Sequence, residues 1–139
     1  MADLITVQEY KNAEGLASQK DDQRLDIIVP QVSDLAKKYC GTSFVDYYSS
    51  DKTETFSVND NFTSTIIVSE SPLISVTTLK ERTSYEGPYD TLATSDYEYY
   101  VDTAADAIVR TTKSGTKKAF PQGMGSVQIA YRAGYSAAP

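Results

Sequence analysis

The sequence has no histidine, no tryptophan and a single cysteine, and each scarcity removes chemistry. Without histidine there is no Ser-His-Asp triad, no Cys-His dyad, no His-ligated zinc and no imidazole acid or base. Cys40 alone can form neither an internal disulfide nor a thiolate metal cluster. No apolar run approaches the ~20 residues of a membrane-spanning helix, and the first residues lack the pattern of a secretion signal. Bases are outnumbered, 13 Lys and Arg against 19 Asp and Glu, which argues against a surface that binds nucleic acid generally. Together these absences predict a soluble, cytoplasmic-type chain that is not an enzyme and carries no cofactor. At 139 residues it is long enough for one domain with a real core.

The net charge of −6 conceals a gradient. Residues 1–45 carry −2, residues 46–109 carry −9, and residues 110–139 contain no acid and carry +5. Ordinary solvated surface accounts for this most simply. The functional reading is a molecule with opposite faces, suited to docking onto copies of itself or onto a partner.

The first 41 residues read as helical. Thr6 and Glu9 have capping-box spacing, ahead of a short helix over Val7–Ala13 that Gly15 is placed to end. A longer helix begins near Asp21 and Asp22, whose carboxylates suit the positive end of the helix dipole. Leu25, Ile28, Val29, Val32, Leu35, Ala36 and Tyr39 recur at spacings of three and four and form one apolar stripe. Pro30 removes one hydrogen bond, so the expectation is a kinked helix, with two separate helices as the alternative.

Beyond residue 41 the composition changes: of 30 Ser and Thr, 27 lie at or after Thr42. Short alternating runs predict strands at Thr53–Val58, Thr65–Ser69, Ile74–Lys80, Tyr97–Val101, Ala107–Thr112 and Ser126–Arg132. In the last, Val127, Ile129 and Tyr131 share one face and Gln128, Ala130 and Arg132 the other. Turn residues separate the runs at Asn59-Asp60-Asn61, Ser71-Pro72, Gly87-Pro88, Ser114-Gly115 and Pro121-Gln122-Gly123. The expected fold class is α+β. An N-terminal helical pair at 1–41, with its long kinked helix at about 21–40, leads into an antiparallel β-sandwich or small β-barrel at 42–139, in one compact domain.

The local patterns that suggest chemistry each have a simpler structural explanation. Gly123-Met124-Gly125 precedes a strand and not a helix, so it lacks the helix N-terminus of a dinucleotide site and reads as a flexible turn. Asn59-Asp60-Asn61 and Asp102 with Asp106 do not have calcium-loop spacing and read as Asx-turns, so no metal site is expected. Asn61-Phe62-Thr63 is a sequon that a chain without a secretion signal would not have modified. Asp90, Asp96 and Glu98 could serve a carboxylate hydrolase, but nothing in the sequence brings two of them together. Cys40 is expected to be a small buried hydrophobe beside Tyr39. Arg110, Lys113, Lys117 and Lys118 make a basic hairpin tip, solvated by default, with phosphate or an acidic partner as the sharper option. The eleven tyrosines, mostly in the β region, exceed what a small core needs, and some are expected to touch another chain.

The order of motifs resembles tailed-phage head–tail connector (head completion or neck adaptor) proteins. The opening Leu4-Ile5-Thr6-x-x-Glu9-Tyr10, the helix entry Asp21-Asp22-x-Arg24-Leu25 and its exit Lys38-Tyr39-Cys40-Gly41-Thr42-Ser43-Phe44 carry the likeness. So do Ser71-Pro72-Leu73-Ile74-Ser75-Val76, Ser95-Asp96-Tyr97-Glu98 and Phe120-Pro121-Gln122-Gly123. The ending from Val127 to Tyr135 is similar to the family's Val-x-Val-x-Tyr-x-Ala-Gly-Tyr.

The resemblance implies a structural virion protein at the head–tail neck, present in the host cytoplasm during assembly. Such a protein forms a ring, commonly twelvefold, under the portal protein, extends the DNA channel and receives tail, stopper or tail-terminator proteins. Many relatives continue past Ala-Gly-Tyr into further helices. Here their contacts are expected to be absent, or supplied by the helix at 21–40 and the β region. The residues expected to meet a partner or a neighbouring subunit are Arg24, Lys37 and Lys38 on the long helix, Arg110, Lys113, Lys117 and Lys118 at the basic tip, and Tyr131 and Tyr135 in the final motif. The acidic β region is expected to flank a channel through which DNA slides without sequence-specific binding. The alternative from another class is a Tyr-rich β module of a phage tail that binds a receptor or glycan.

Overall fold

The computed structural model describes residues 2–138. Two helices, α1 (Val7–Glu14) and α2 (Asp22–Cys40), precede seven strands. These are β1 (Lys52–Val58), β2 (Thr65–Ile67), β3 (Leu73–Glu81), β4 (Asp90–Leu92), β5 (Tyr99–Asp102), β6 (Ala107–Arg110) and β7 (Gly123–Ala133). The fold is α+β, as the residue patterns predict.

The helix ends are set by local chemistry. Thr6 accepts a hydrogen bond from the Glu9 backbone N–H, and Glu9 accepts one from the Thr6 N–H, which closes the capping box. Gly15 and Gly41 end α1 and α2 in the left-handed conformation, where a Cβ is unfavourable. Asp21 occupies the N-cap of α2 without a side-chain cap bond, and α2 runs through Pro30 as one helix, so the two-helix alternative does not hold.

The strands form two antiparallel sheets, β1-β7-β3-β4 and β2-β6-β5. β7 is the central strand of the larger sheet, pairing with β1 on one side and β3 on the other. Its alternation holds: Val127, Ile129 and Tyr131 are fully buried while Arg132 is exposed. Both sheets contribute to one core, with Leu79, Val127, Ile129 and Tyr131 from the larger and Ile66, Tyr99 and Ile108 from the smaller. Phe120, in the loop before β7, is also buried in it. The two sheets do not close, so the barrel alternative is replaced by an open two-sheet arrangement.

Several boundaries differ from expectation for physical reasons. β4 is a three-residue edge strand whose Asp90-Thr91 start gives little strand signal. Tyr97 is not in β5 but follows a 3-10 turn (Thr94–Asp96) with φ of 58°. Gly123 and Gly125 are not a turn: both lie in β7, where Gly125 N–H donates to Ser57 Oγ at 2.9 Å. A Cβ on Gly125 would meet Arg82 Nη2 at 3.0 Å, because Arg82 is held there over the Tyr89 ring.

The core draws on no residue of α1 or α2. The helices are tied down by polar contacts instead. Lys37 Nζ lies 2.9 Å from Asp46 Oδ1 and also bonds the Ala2 carbonyl, while Ala2 N–H reaches the same carboxylate at 2.8 Å. Lys11 pairs with Asp22 at 2.7 Å, and Leu4 N–H donates to Ser33 Oγ at 3.0 Å. The segment after α2 is then pinned to the β core. Glu70 Oε2 accepts from Thr42 Oγ1, Ser43 N–H and Ser43 Oγ, and Ala133 N–H and Tyr135 N–H donate to the carbonyls of Tyr47 and Phe44.

Candidate functional site

Two uncovered surfaces stand out. The first is on the helices. Of the α2 stripe only Val29 is buried; Val32 is 57% exposed, Leu35 67% and Tyr39 91%. Leu4, Ile5 and Tyr10 from the N-terminal segment face Leu25, Ile28 and Val32 across an apolar groove of about 370 Å³. A stripe of this regularity normally faces a core, because an isolated helix of this length is marginal in water. Covering a Val or Leu is worth roughly 1.5–3 kcal/mol, so the uncovered stripe favours association. The expectation that Cys40 is buried fails for the same reason. The end of α2 is open to solvent, with Tyr39 91% exposed and the Cys40 thiol exposed.

The second surface is the smaller sheet and the hairpin beyond it. Thr65, Val109 and Tyr100 sit opposite one another across β2, β6 and β5, on the face turned away from the core. Ile67 is 68% exposed on the same face. A cleft of about 510 Å³ runs from there to the hairpin, lined by Tyr97, Tyr100, Val109, Lys113 and Lys117 among others.

The predicted contact residues divide into two groups. Arg24, Lys38, Lys113, Lys117, Lys118 and Tyr135 are exposed. Lys37, Arg110 and Tyr131 are buried and bonded within the chain. Arg110 holds Glu81 through two contacts, Nε–Oε2 at 3.1 Å and Nη2–Oε1 at 2.9 Å, and donates to the Glu98 carbonyl at 2.7 Å. A planar guanidinium suits this bidentate geometry where a lysine would not. Tyr131 lies in the core, and its hydroxyl accepts from Glu70 N–H at 3.3 Å. The sequence polarity is thus partly neutralised internally: Arg110–Glu81, Arg132–Asp51, Lys37–Asp46 and Lys52–Glu70 all join bases to the acidic segment. What remains is a lysine tip without ion pairs among the described residues.

Several acidic side chains of the loops are engaged in bonds within the chain. Asp60 Oδ1 accepts from Phe62 N–H, Thr63 N–H and Thr63 Oγ1; the Thr63 hydroxyl contributes most to holding its carboxyl below the usual range. Asp102 Oδ1 caps Ala104 and Ala105, and Asp106 bonds Ser71 Oγ and Leu73 N–H. Asp60 and Asp102 make the Asx-turns expected of them, whereas Asp106 does not and instead ties its loop to Ser71 and Leu73, 35 and 33 residues earlier. Of the eleven tyrosines, Tyr10, Tyr39, Tyr48, Tyr85, Tyr97, Tyr100 and Tyr135 are exposed, more than a small core leaves by necessity. No helix among the described residues is long and apolar enough to cross a membrane.

The two-sheet core thus leaves an apolar helix stripe and seven tyrosines uncovered. Residues 3–139 match the family described as Head completion protein, and the chain belongs to that family. Its role is therefore structural, in the completion of the bacteriophage head during virion assembly. No curated protein matches this chain.

Proposed function

We propose that the chain is the adaptor between head and tail of a tailed phage. Copies form a ring under the portal, twelvefold where the portal is, extend the DNA channel and receive tail or stopper proteins. The observation that carries this reading is the uncovered stripe of α2, in a chain of the head completion family. A stripe that the chain's own core leaves bare is suited to a neighbour in an assembly. Arg24, Lys38, Lys113, Lys117, Lys118 and Tyr135 are the exposed residues available for such contacts. Glu86, Asp90 and Asp96 are exposed acids of the β region and would flank the channel, where phosphates gain no affinity from counterion release.

The test is to mix the purified chain with portal, measure the mass by light scattering, and image the complex by electron cryomicroscopy. A ring seated on the portal with an acidic lumen is the expected result. Neither ring nor portal binding would overturn the reading, and a basic lumen would overturn its account of the channel.

A further inference from the structure

We propose that the outer face of the β2-β6-β5 sheet of one copy seats on the α1–α2 groove of the next copy. The contact joins two different faces of the same chain. It rests on the adaptor reading and names the surfaces that would build its ring.

Both faces are apolar at the centre. The groove offers Leu25, Ile28 and Val32, continued along α2 by Leu35 and Tyr39. The sheet offers Ile67, Tyr100 and Val109, with Tyr97 beside them. Their edges differ in sign. Around the groove, Asp3 adjoins Leu4, Glu14 lies one turn after Tyr10, and Asp21 lies one turn before Leu25; Arg24, one turn before Ile28, and Lys38, one turn after Leu35, are bases on that side. On the sheet side Lys113 and Lys117 line the cleft, with Asp102 as its acid.

The charges choose the pairing. Groove on groove would set acid against acid, and sheet on sheet would set lysine against lysine. Only groove on sheet brings apolar centres together with opposite charges at the edges. A contact between unlike faces repeats from copy to copy and closes into a ring when the rotation permits.

Charge reversal in the full chain tests this. One variant carries Lys113→Glu and Lys117→Glu, the other Glu14→Lys and Asp21→Lys. All four side chains are exposed, so each variant should fold, which circular dichroism and thermal melting check. Sedimentation velocity at low salt is expected to show self-association of the parent, weakened at least about tenfold in either variant. An equimolar mixture of the two variants should recover it, because the reversed tip of one meets the reversed groove of the other.

A mixture no stronger than its components overturns the proposal. So does a lysine-tip variant that associates like the parent, since the groove would then close on something else. A parent that stays monomeric at its highest soluble concentration also overturns it; if that monomer still binds portal, the adaptor reading stands without this contact. A parent that associates and obeys the swap yet ignores portal keeps the contact and ends the adaptor reading.

Discussion

Gly134 sits where the end of β7 meets the segment that follows α2, and its backbone has φ of 106°. A Cβ built there would lie 2.2 Å from the Phe44 carbonyl oxygen, which is itself bonded by Tyr135 N–H at 2.7 Å. That backbone cannot retreat without breaking one of the bonds that tie residues 42–48 to the sheet. Gly115 makes a useful contrast: φ is 81°, but nothing lies within 4 Å of its Cβ position. Gly115→Ala should therefore cost about 1 kcal/mol, the ordinary penalty of the left-handed region. Gly134→Ala should cost about 3 kcal/mol, strain and clash together, read as a shift of the urea midpoint at unchanged slope. The Ala-Gly-Tyr ending was visible in the sequence as a motif, whereas its reason, a carbonyl that is 90 residues earlier in the chain, was not. The capping box at Thr6 and Glu9 was legible because both partners are within one turn. Cys40 was misjudged because burial depends on what lies across from a residue, which spacing does not encode.

At the scale of elements, periodicity located both helices and six of the seven strands, and failed only at β4, whose Asp90-Thr91 start carries little strand preference. What it did not give was the way α2 is held. The apolar stripe shows which face of α2 is to be covered, but the helical pair is anchored through Lys37, whose buried ammonium meets Asp46 and the Ala2 carbonyl. A lysine at the C-terminal end of a helix reads from sequence as a solvated, dipole-favoured charge. Its side chain and that of Asp46 are only 6% and 9% exposed, so removing one partner strands the other away from water. Lys37→Met should accordingly cost about 3 kcal/mol and, more tellingly, should release hydrogen-exchange protection in residues 2–46 before the β core opens. Equal loss of protection in β7 would mean that the clasp and the core unfold as one unit. Leu35→Ala, at an exposed site, should leave the fold unchanged within about 0.5 kcal/mol.

The whole molecule is shaped by the missing histidine as much as by any residue present. No imidazole titrates near neutrality, so stability should be flat from about pH 6 to 8 and change only at the extremes. On the acid side, burial alone would raise the Glu54 carboxyl, but hydrogen bonds from Ser69 and the charge of Lys52 outweigh it, and the pKa lies below the ordinary 4.5. Glu9, bonded by the Thr6 backbone, and Asp60, bonded by the Thr63 hydroxyl, are lowered as well. A carboxyl lowered by folding stabilises above its unfolded pKa, and that contribution disappears as pH falls through the lower, folded value. On the alkaline side, burial raises the Tyr99 and Tyr131 hydroxyls above 10.0. Lys52 is lifted above 10.5, since its bonds to Glu70 and Glu54 outweigh its desolvation. Groups raised by folding stabilise below their unfolded pKa, and this is lost as pH climbs through the folded one. Urea midpoints measured against pH should therefore trace a plateau that falls below about pH 4.5 and above about pH 10. Glu54→Gln should flatten part of both limbs, because the Glu54 carboxylate also helps to raise Lys52 and Tyr131. With no imidazole in the chain, a midpoint that moved between pH 6 and 8 would point to the α-amino group or to a side chain displaced from its ordinary range by assembly between charged faces.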